Sequence, residues 1–217
     1  MSLRSRFVLN ERRQLQLTAA LEVALAAILV YGLVRRDPGI IVNAGVSLAV
    51  TQLVPVLERD LRIQMEPGLV LWITSAVFLH ALGTVSVVLD GQTLSLYRST
   101  GFWDHITHAL SASVVAAGYV TARAYDLHDD ELHLPPKFMF VFILLVTLAF
   151  GVLWEVIEFT LGELGPVVGF SPLTQYGLED TLMDLVFDSV GAVVVATWGT
   201  AHLAGVVDAV RDRLGAM

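Results

Sequence analysis

Residues 137–161 read KFMFVFILLVTLAFGVLWEVIEFTL, and this stretch decides the fold class. No charged side chain stands between Lys137 and Glu155, and the apolar residues follow one another without the alternation of a barrel strand. A run of about 20 apolar residues crosses a hydrocarbon core of about 30 Å when it is helical. Because backbone groups in lipid must pair within their own segment, we predict that this stretch is a transmembrane helix.

Apolar blocks of similar length recur along the rest of the chain. The composition is 55% hydrophobic and 16% charged, with a mean hydropathy of +0.70, which excludes an ordinary soluble domain. We therefore predict an all-α polytopic membrane bundle of about six transmembrane helices that forms a single domain over residues 1–217. The predicted spans are residues 14–34, 38–57, 67–88, 102–124, 137–161 and 181–203.

Basic residues indicate how the bundle is oriented. With six spans both termini share one side, and ten of the thirteen Lys and Arg residues fall there, against Arg35, Arg36 and Arg98 opposite. The positive-inside rule then predicts a multi-pass protein of the cytoplasmic membrane with both termini inside and the lipid bilayer as its partner. The net charge of −8 argues against a nucleic-acid partner. We expect residues 162–179 to form an outer loop that caps the bundle.

Ionisable side chains within the last four predicted spans are the main pointer to function. Each such group costs several kcal/mol if it faces lipid, so it needs a partner or a function. Because successive spans run in alternating directions, these side chains should all lie in the same outer third of the membrane. They are His80, then Asp104, His105 and His108, then Glu155 and Glu158, and finally Asp180, Asp184 and Asp188.

The spacing aligns these residues on one face of each helix. Asp104 and His108 are four residues apart, Glu155 and Glu158 three apart, and the aspartates of the last span repeat every four. Several carboxylates without a Lys or Arg cannot all stay ionised in a low-dielectric site, so either some are protonated or a cation neutralises them. Since the chain has no cysteine, a divalent metal would be held by oxygen and imidazole ligands, which suits Zn, Mn, Fe or Mg.

The residues differ in how strongly they indicate a site. Asp180 is equally explained as a first-turn acid that favours the helix dipole, and His105 is expected to face away from its neighbours. A lone membrane histidine such as His80 is equally explained by a hydrogen bond to an adjacent helix. The predicted metal ligands are Asp104, His108, Glu155, Asp184 and His80, and the predicted catalytic bases are Glu158 and Asp188.

Three motifs carry a resemblance to known families: FWDHITH at 102–108, WEVIEF at 154–159 and TQYGLEDTLMDLVFDSVGA at 174–192. Together they resemble the YjdF-like membrane proteins, a family of unknown function, over about residues 80–192. More distantly they resemble the VanZ-like family, whose pattern is matched by Asp104, His108, Glu155, Asp184 and Gly191. His105, Glu158 and Asp188 stand where VanZ-like proteins carry lysine, glutamine and asparagine, which makes this site more acidic and favours a cation.

Three functions fit the predicted site. The first is a metal-dependent hydrolase or transferase that acts on a lipid-linked or phosphorylated, small anionic substrate at the outer face. The second is a proton- or metal-ion-linked transporter, for which six helices are few, and a homo-oligomer such as a dimer could supply the remainder. The third is a non-catalytic bundle that a metal or a polar network holds together.

Overall fold

The computed structural model describes residues 10–61, 65–89, 92–126, 136–169 and 177–199. The predicted all-α class is confirmed, because six long helices make up almost all of these residues. The long helices are α1 (Glu11–Arg35), α2 (Pro38–Leu61), α3 (Pro67–Thr84), α5 (Trp103–Asp126), α6 (Pro136–Val168) and α7 (Leu178–Val194). Between α3 and α5 lie the strands β1 (Val87–Leu89) and β2 (Gln92–Leu94) and the short helix α4 (Leu96–Ser99), and α7 continues into a π-helical turn at Val195–Gly199.

Local signals explain where the first helices begin and end. The Asn10 side chain accepts a hydrogen bond from the Arg13 amide and so caps the start of α1. Arg36 adopts a left-handed conformation (φ 54°) that ends α1, and the Asp37 side chain then accepts a hydrogen bond from the Ile40 amide to start α2. Pro67 occupies the first turn of α3, where a missing amide hydrogen costs nothing.

Four helical segments are long and apolar enough to cross a membrane by length and composition: Glu11–Arg35, Pro38–Asp60, Pro67–Thr84 and Lys137–Val167. Large apolar side chains such as Val23 and Val34 are exposed on their outer faces, as expected of helices that contact lipid. The other two predicted spans correspond to α5 and α7, which carry the clustered aspartates and histidines. The count of six crossings therefore remains a prediction for these two helices.

Two predicted boundaries are wrong. The third span was expected to reach residue 88, but α3 ends at Thr84, and β1 pairs antiparallel with β2 through Val87–Leu94 and Leu89–Gln92. Residues 162–179 were expected to form a loop, but α6 continues to Val168 and contains Pro166 near its end. Of the last predicted span, residues 200–203 lie outside the described residues.

The helices form two groups of three. Helices α1, α2 and α3 pack on one another, as do α5, α6 and α7, and α3 joins the groups by packing on α5. The contact between α5 and α7 is especially close at Gly191, where an added Cβ would overlap the Ala109 carbonyl oxygen and lie 3.1 Å from the Ser113 amide nitrogen. Close approach at a small residue is typical of membrane helix pairs, and here it brings the polar faces of α5 and α7 together.

Candidate functional site

Acidic and histidine side chains meet where the first half of α5, the second half of α6 and the first half of α7 pack together. The i,i+4 repeat on α5 and α7 turns their polar residues toward one another, while the i,i+3 pair on α6 approaches from the third side. We call these residues the acid–histidine cluster. Its members are Asp104, His105, His108, Glu155, Glu158, Asp184 and Asp188.

His108 lies at the centre of the cluster and is largely buried. Its Nε2 atom lies 3.6 Å from Asp104 Oδ1 and 3.8 Å from Asp184 Oδ2. Its Nδ1 atom lies 3.4 Å from Asp188 Oδ1. One imidazole thus faces three aspartates from two helices.

Asp184 is fully buried, with 0% of its surface exposed. Its Oδ1 atom lies 3.4 Å from His105 Nδ1, whereas Oδ2 has no hydrogen-bond partner among the described residues. The His105 ring stacks on Phe187 with 4.5 Å between ring centroids. The expectation that His105 faces away from the other site residues is therefore wrong. His105 and His108 are three positions apart on α5, and both face α7.

Glu155 and Glu158 complete the cluster from α6 and are buried, with 5% and 8% of their surfaces exposed. Both carboxylate oxygens of Glu155 lack a hydrogen-bond partner among the described residues, although Thr181 lies near enough to interact with it. A buried carboxylate without a partner is costly. Such a group is expected either to be protonated or to contact a cation.

His80 lies beside the cluster, and both of its ring nitrogens are hydrogen-bonded. Its Nε2 atom lies 3.1 Å from Asn43 Oδ1, and its Nδ1 atom lies 2.8 Å from the Tyr97 hydroxyl. Asn43 also donates from its side-chain nitrogen to the Gly39 carbonyl, so its oxygen must accept a hydrogen from His80 Nε2. His80 then has an acceptor at Nδ1, and the Tyr97 hydroxyl donates to it.

Tyr97 was not identified from the sequence. It lies on α4, a four-residue helix inside a stretch that was predicted to be helix end and loop, and no spacing rule links it to His80. Burial raises the pKa of Tyr97 above its usual value, and the nearby carboxylates of Asp104 and Glu158 raise it further. The hydroxyl therefore remains protonated and able to donate its hydrogen bond.

Two sets of side chains within the cluster have the composition of a metal site. In each set the potential ligand atoms all lie within 4.8 Å of one another, and His108 belongs to both sets. Oxygen and imidazole ligands of this kind suit Zn, Mn, Fe or Mg. The sets are Asp104, His108 and Asp184, and His108, Glu155 and Glu158.

The fold and the cluster together define a class: an all-α membrane bundle with acidic residues and histidines buried between its helices. A family model described as "Predicted membrane protein (DUF2238)" matches residues 17–205, and the chain belongs to this family. That assignment agrees with the YjdF-like resemblance of the sequence. A protein of Thermotoga maritima described as uncharacterized is 33% identical over 128 residues, which cover 58% of this chain and 58% of that protein. No solved structure matches the chain.

Proposed function

We propose that the acid–histidine cluster binds a divalent metal ion and that the protein is a metal-dependent hydrolase or transferase within the membrane. The observation that carries the proposal is a group of three buried carboxylate oxygens, both of Glu155 and Oδ2 of Asp184, that lack hydrogen-bond partners among the described residues; each carboxylate belongs to one of the two sets that include His108. Buried polar atoms in proteins are nearly always paired. A cation between them would supply the missing partner.

Charge balance supports the same conclusion. The cluster brings five carboxylates together around His108, and the described part of the chain places no Lys or Arg in ion-pair contact with any of them. A protonated imidazole could balance only one of these negative charges. A divalent cation would balance two more, and the metal would then offset part of the cost of burying the carboxylates.

In this proposal Asp104, His108 and Asp184 bind the metal and Glu155 contributes from α6. A metal held there would supply Lewis-acid chemistry. Glu158, which has a carboxylate oxygen within 4.8 Å of a ring nitrogen of His108, would act as the general base. Helices α5 and α7 both begin at the cluster, and their positive dipole ends favour an anionic group there.

The proposed substrate is therefore a phosphorylated or lipid-linked molecule that reaches the site from the bilayer. In this proposal the site lies on the extracytoplasmic side of the cytoplasmic membrane, which the distribution of Lys and Arg in the sequence supports. The three departures from the VanZ-like pattern, His105, Glu158 and Asp188, are all members of the cluster. Because these three residues change the chemistry of the site, the proposed function does not include a VanZ-like activity.

Transport is a second candidate, favoured by a row of buried polar residues on α2. Asn43, Ser47 and Thr51 are four residues apart, so the row leads away from His80 along one helix face. However, the Ser47 hydroxyl donates to the Val77 carbonyl and the Thr51 hydroxyl to the Leu48 carbonyl. Because these hydroxyls already donate to the backbone, they are not free to pass a proton along the row, although their oxygens could still contact a metal ion.

The test begins with metal content. Protein purified in detergent would be dialysed against chelator, titrated with Zn²⁺, Mn²⁺ or Mg²⁺ by calorimetry and analysed for bound metal. We expect at least one tightly bound ion per chain. Protein that folds normally and binds none of these metals would contradict the proposal, and in that case proton movement by the same protein in liposomes would favour transport.

Glu158→Gln then separates an enzyme from a bundle that metal merely holds together. The assay would measure phosphate release from a long-chain phosphomonoester lipid and from a polyprenyl diphosphate. In the proposed enzyme this variant keeps metal and loses about 100-fold or more in turnover, as is typical when a general base is removed. Glu163→Gln, an exposed acid on the same helix, is the matched control and should retain turnover.

A further inference from the structure

The geometry points to Asp188 as a positioning residue: we infer that its carboxylate holds the Nδ1 side of His108 so that Nε2 is free to bind the metal. This inference rests on the proposed metal site and deepens it. It also changes the role of Asp188, which the sequence suggested as a catalytic base, to one that acts through His108.

The two nitrogens of His108 have different surroundings. Nδ1 faces Asp188 Oδ1 at 3.4 Å, whereas Nε2 faces the carboxylates of Asp104 and Asp184. A neutral imidazole carries one N–H and one lone pair. If Nδ1–H donates to Asp188, the Nε2 lone pair points at the two carboxylates that would share the metal. Carboxylates commonly orient metal-binding histidines in this way.

Gly151 on α6 supplies the space that this arrangement needs. An added Cβ at Gly151 would overlap Asp188 Oδ2 and lie 3.3 Å from Asp188 Cγ. The carboxylate is therefore held between the His108 ring on one side and the α6 backbone on the other, with the residue only 4% exposed. With Oδ1 against His108 and Oδ2 against Gly151, neither oxygen is placed to take a proton from a substrate.

The position of Gly151 provides a test that leaves every ligand in place. Gly151→Ala should displace the Asp188 carboxylate and release the His108 ring. Gly162→Ala is the matched control, because Gly162 lies on the same helix and an added Cβ there would have nothing within 4 Å. Both changes replace glycine by alanine in α6, so they share any effect on helix propensity.

The measurement is a titration of purified protein with Co²⁺, whose visible absorption reports the ligands and their geometry. We expect Gly151→Ala and Asp188→Ala to weaken Co²⁺ binding 10- to 100-fold and to change the spectrum, as is usual when a carboxylate that orients a histidine ligand is lost. Asp188→Asn should recover part of the affinity, because its side-chain oxygen can still accept from Nδ1. If Gly151→Ala and Asp188→Ala both kept the wild-type affinity for Co²⁺, the inference would be overturned. It would also be overturned if Gly162→Ala weakened Co²⁺ binding as much as Gly151→Ala does.

A second measurement does not depend on metal. Nitrogen-15 NMR of histidine-labelled protein, recorded at a pH high enough that the His108 ring is neutral, distinguishes the Nδ1–H from the Nε2–H form, and comparison with His108→Gln assigns the His108 signals. We expect the Nδ1–H form in the wild type and its loss in Asp188→Ala. If the wild type binds no Co²⁺, the proposed function fails, while this NMR result still supports or rejects the role of Asp188.

Discussion

At the scale of single residues, Asp184 is the ligand on which the candidate site depends most. It is fully buried, and its two oxygens face His105 and His108 at 3.4 and 3.8 Å. Asp184→Asn removes one ligand charge without changing the shape of the side chain, so we expect metal affinity to fall at least tenfold. Calorimetric titration checks this result.

The matched control for this change is Glu179→Gln, an exposed acid in the first turn of the same helix. It removes the same charge from α7 but not from the cluster, and we expect wild-type affinity. If both variants lost affinity equally, the effect would be one of overall charge, and Asp184 would not be a ligand.

For His80, in contrast to Asp184, we predict a change in stability without a change in metal binding. Its ring joins Asn43 on α2 to Tyr97 on α4 and lies edge-on to Trp154 at 6.0 Å between ring centroids. His80→Ala removes the shared partner of these groups, and a buried polar group left unsatisfied costs about 1–3 kcal/mol. We expect a lower midpoint of thermal unfolding in detergent and unchanged metal content. A variant that loses metal while keeping its thermal stability would make His80 a ligand, as the sequence first suggested.

At the scale of helices, the contact between α5 and α7 holds the cluster together. Gly191→Ala places a Cβ against the Ala109 carbonyl of α5, and overpacking of this kind costs about 1–3 kcal/mol. We expect a lower unfolding midpoint together with weaker metal binding, because the helices that carry His108 and Asp184 would move apart. Both effects are measurable on the same purified sample.

Gly45→Ala on α2 is the control for that helix contact. An added Cβ at Gly45 has nothing within 4 Å, and alanine favours a helix by up to about 1 kcal/mol over glycine. This variant should therefore be neutral or slightly more stable. Equal destabilisation of both variants would show that glycine matters at these positions for a reason other than packing against α5.

Much of the helical arrangement could be predicted from the sequence because the responsible signals are local. Apolar length gave the long helices to within a few residues at most ends, and i,i+4 spacing gave the shared faces of α5 and α7. The similar depth of Asp104, His108 and Asp184 was predicted from the alternating helix directions. These features require no knowledge of how the helices rotate against one another.

The remaining features depend on tertiary contacts. The i,i+3 spacing of His105 and His108 does put them on neighbouring positions of one helix face, but the contact of His105 with Asp184 also depends on how closely α5 and α7 approach. The apolar run at Val87–Leu89 fits a membrane helix and a strand equally well by hydrophobicity, although its β-branched valines and the following Asp90-Gly91 are typical of a hairpin. The link from His80 to Tyr97 joins two elements with no periodic relation, so only the structure could reveal it.

At the scale of the whole molecule, the two three-helix groups have different tasks. Helices α1, α2 and α3 each have the length and composition of a membrane span, and in the other group α6 does as well. The other group carries the cluster on α5, α6 and α7, and its polar faces turn inward while residues such as Val156 and Val186 remain exposed outside. The first group carries no member of the cluster, and its contact through α3 supports α5 at the site.

This arrangement predicts which end of the bundle faces out. Helices α1, α2 and α3 follow one another through short connections and pack together, so the start of α1 and the segment after α3 lie at opposite ends. The excess of Lys and Arg beside both termini then predicts that Glu11 faces the cytoplasm and Ser99 the exterior. The cluster lies at the same end as Ser99, because α5 begins directly after α4.

Since the chain has no cysteine, single cysteines report this orientation directly. Glu11 and Ser99 are both exposed and suit substitution by cysteine. In intact cells of a bacterial host, a membrane-impermeant maleimide should label Ser99→Cys at once and Glu11→Cys only after the membrane is permeabilised. The reverse pattern would place the acid–histidine cluster on the cytoplasmic side, where a phosphorylated substrate would have to arrive from inside the cell. If both cysteines were labelled before permeabilisation, residues 11 and 99 would lie on the same side of the membrane. The prediction that three crossings separate these two residues would then be wrong.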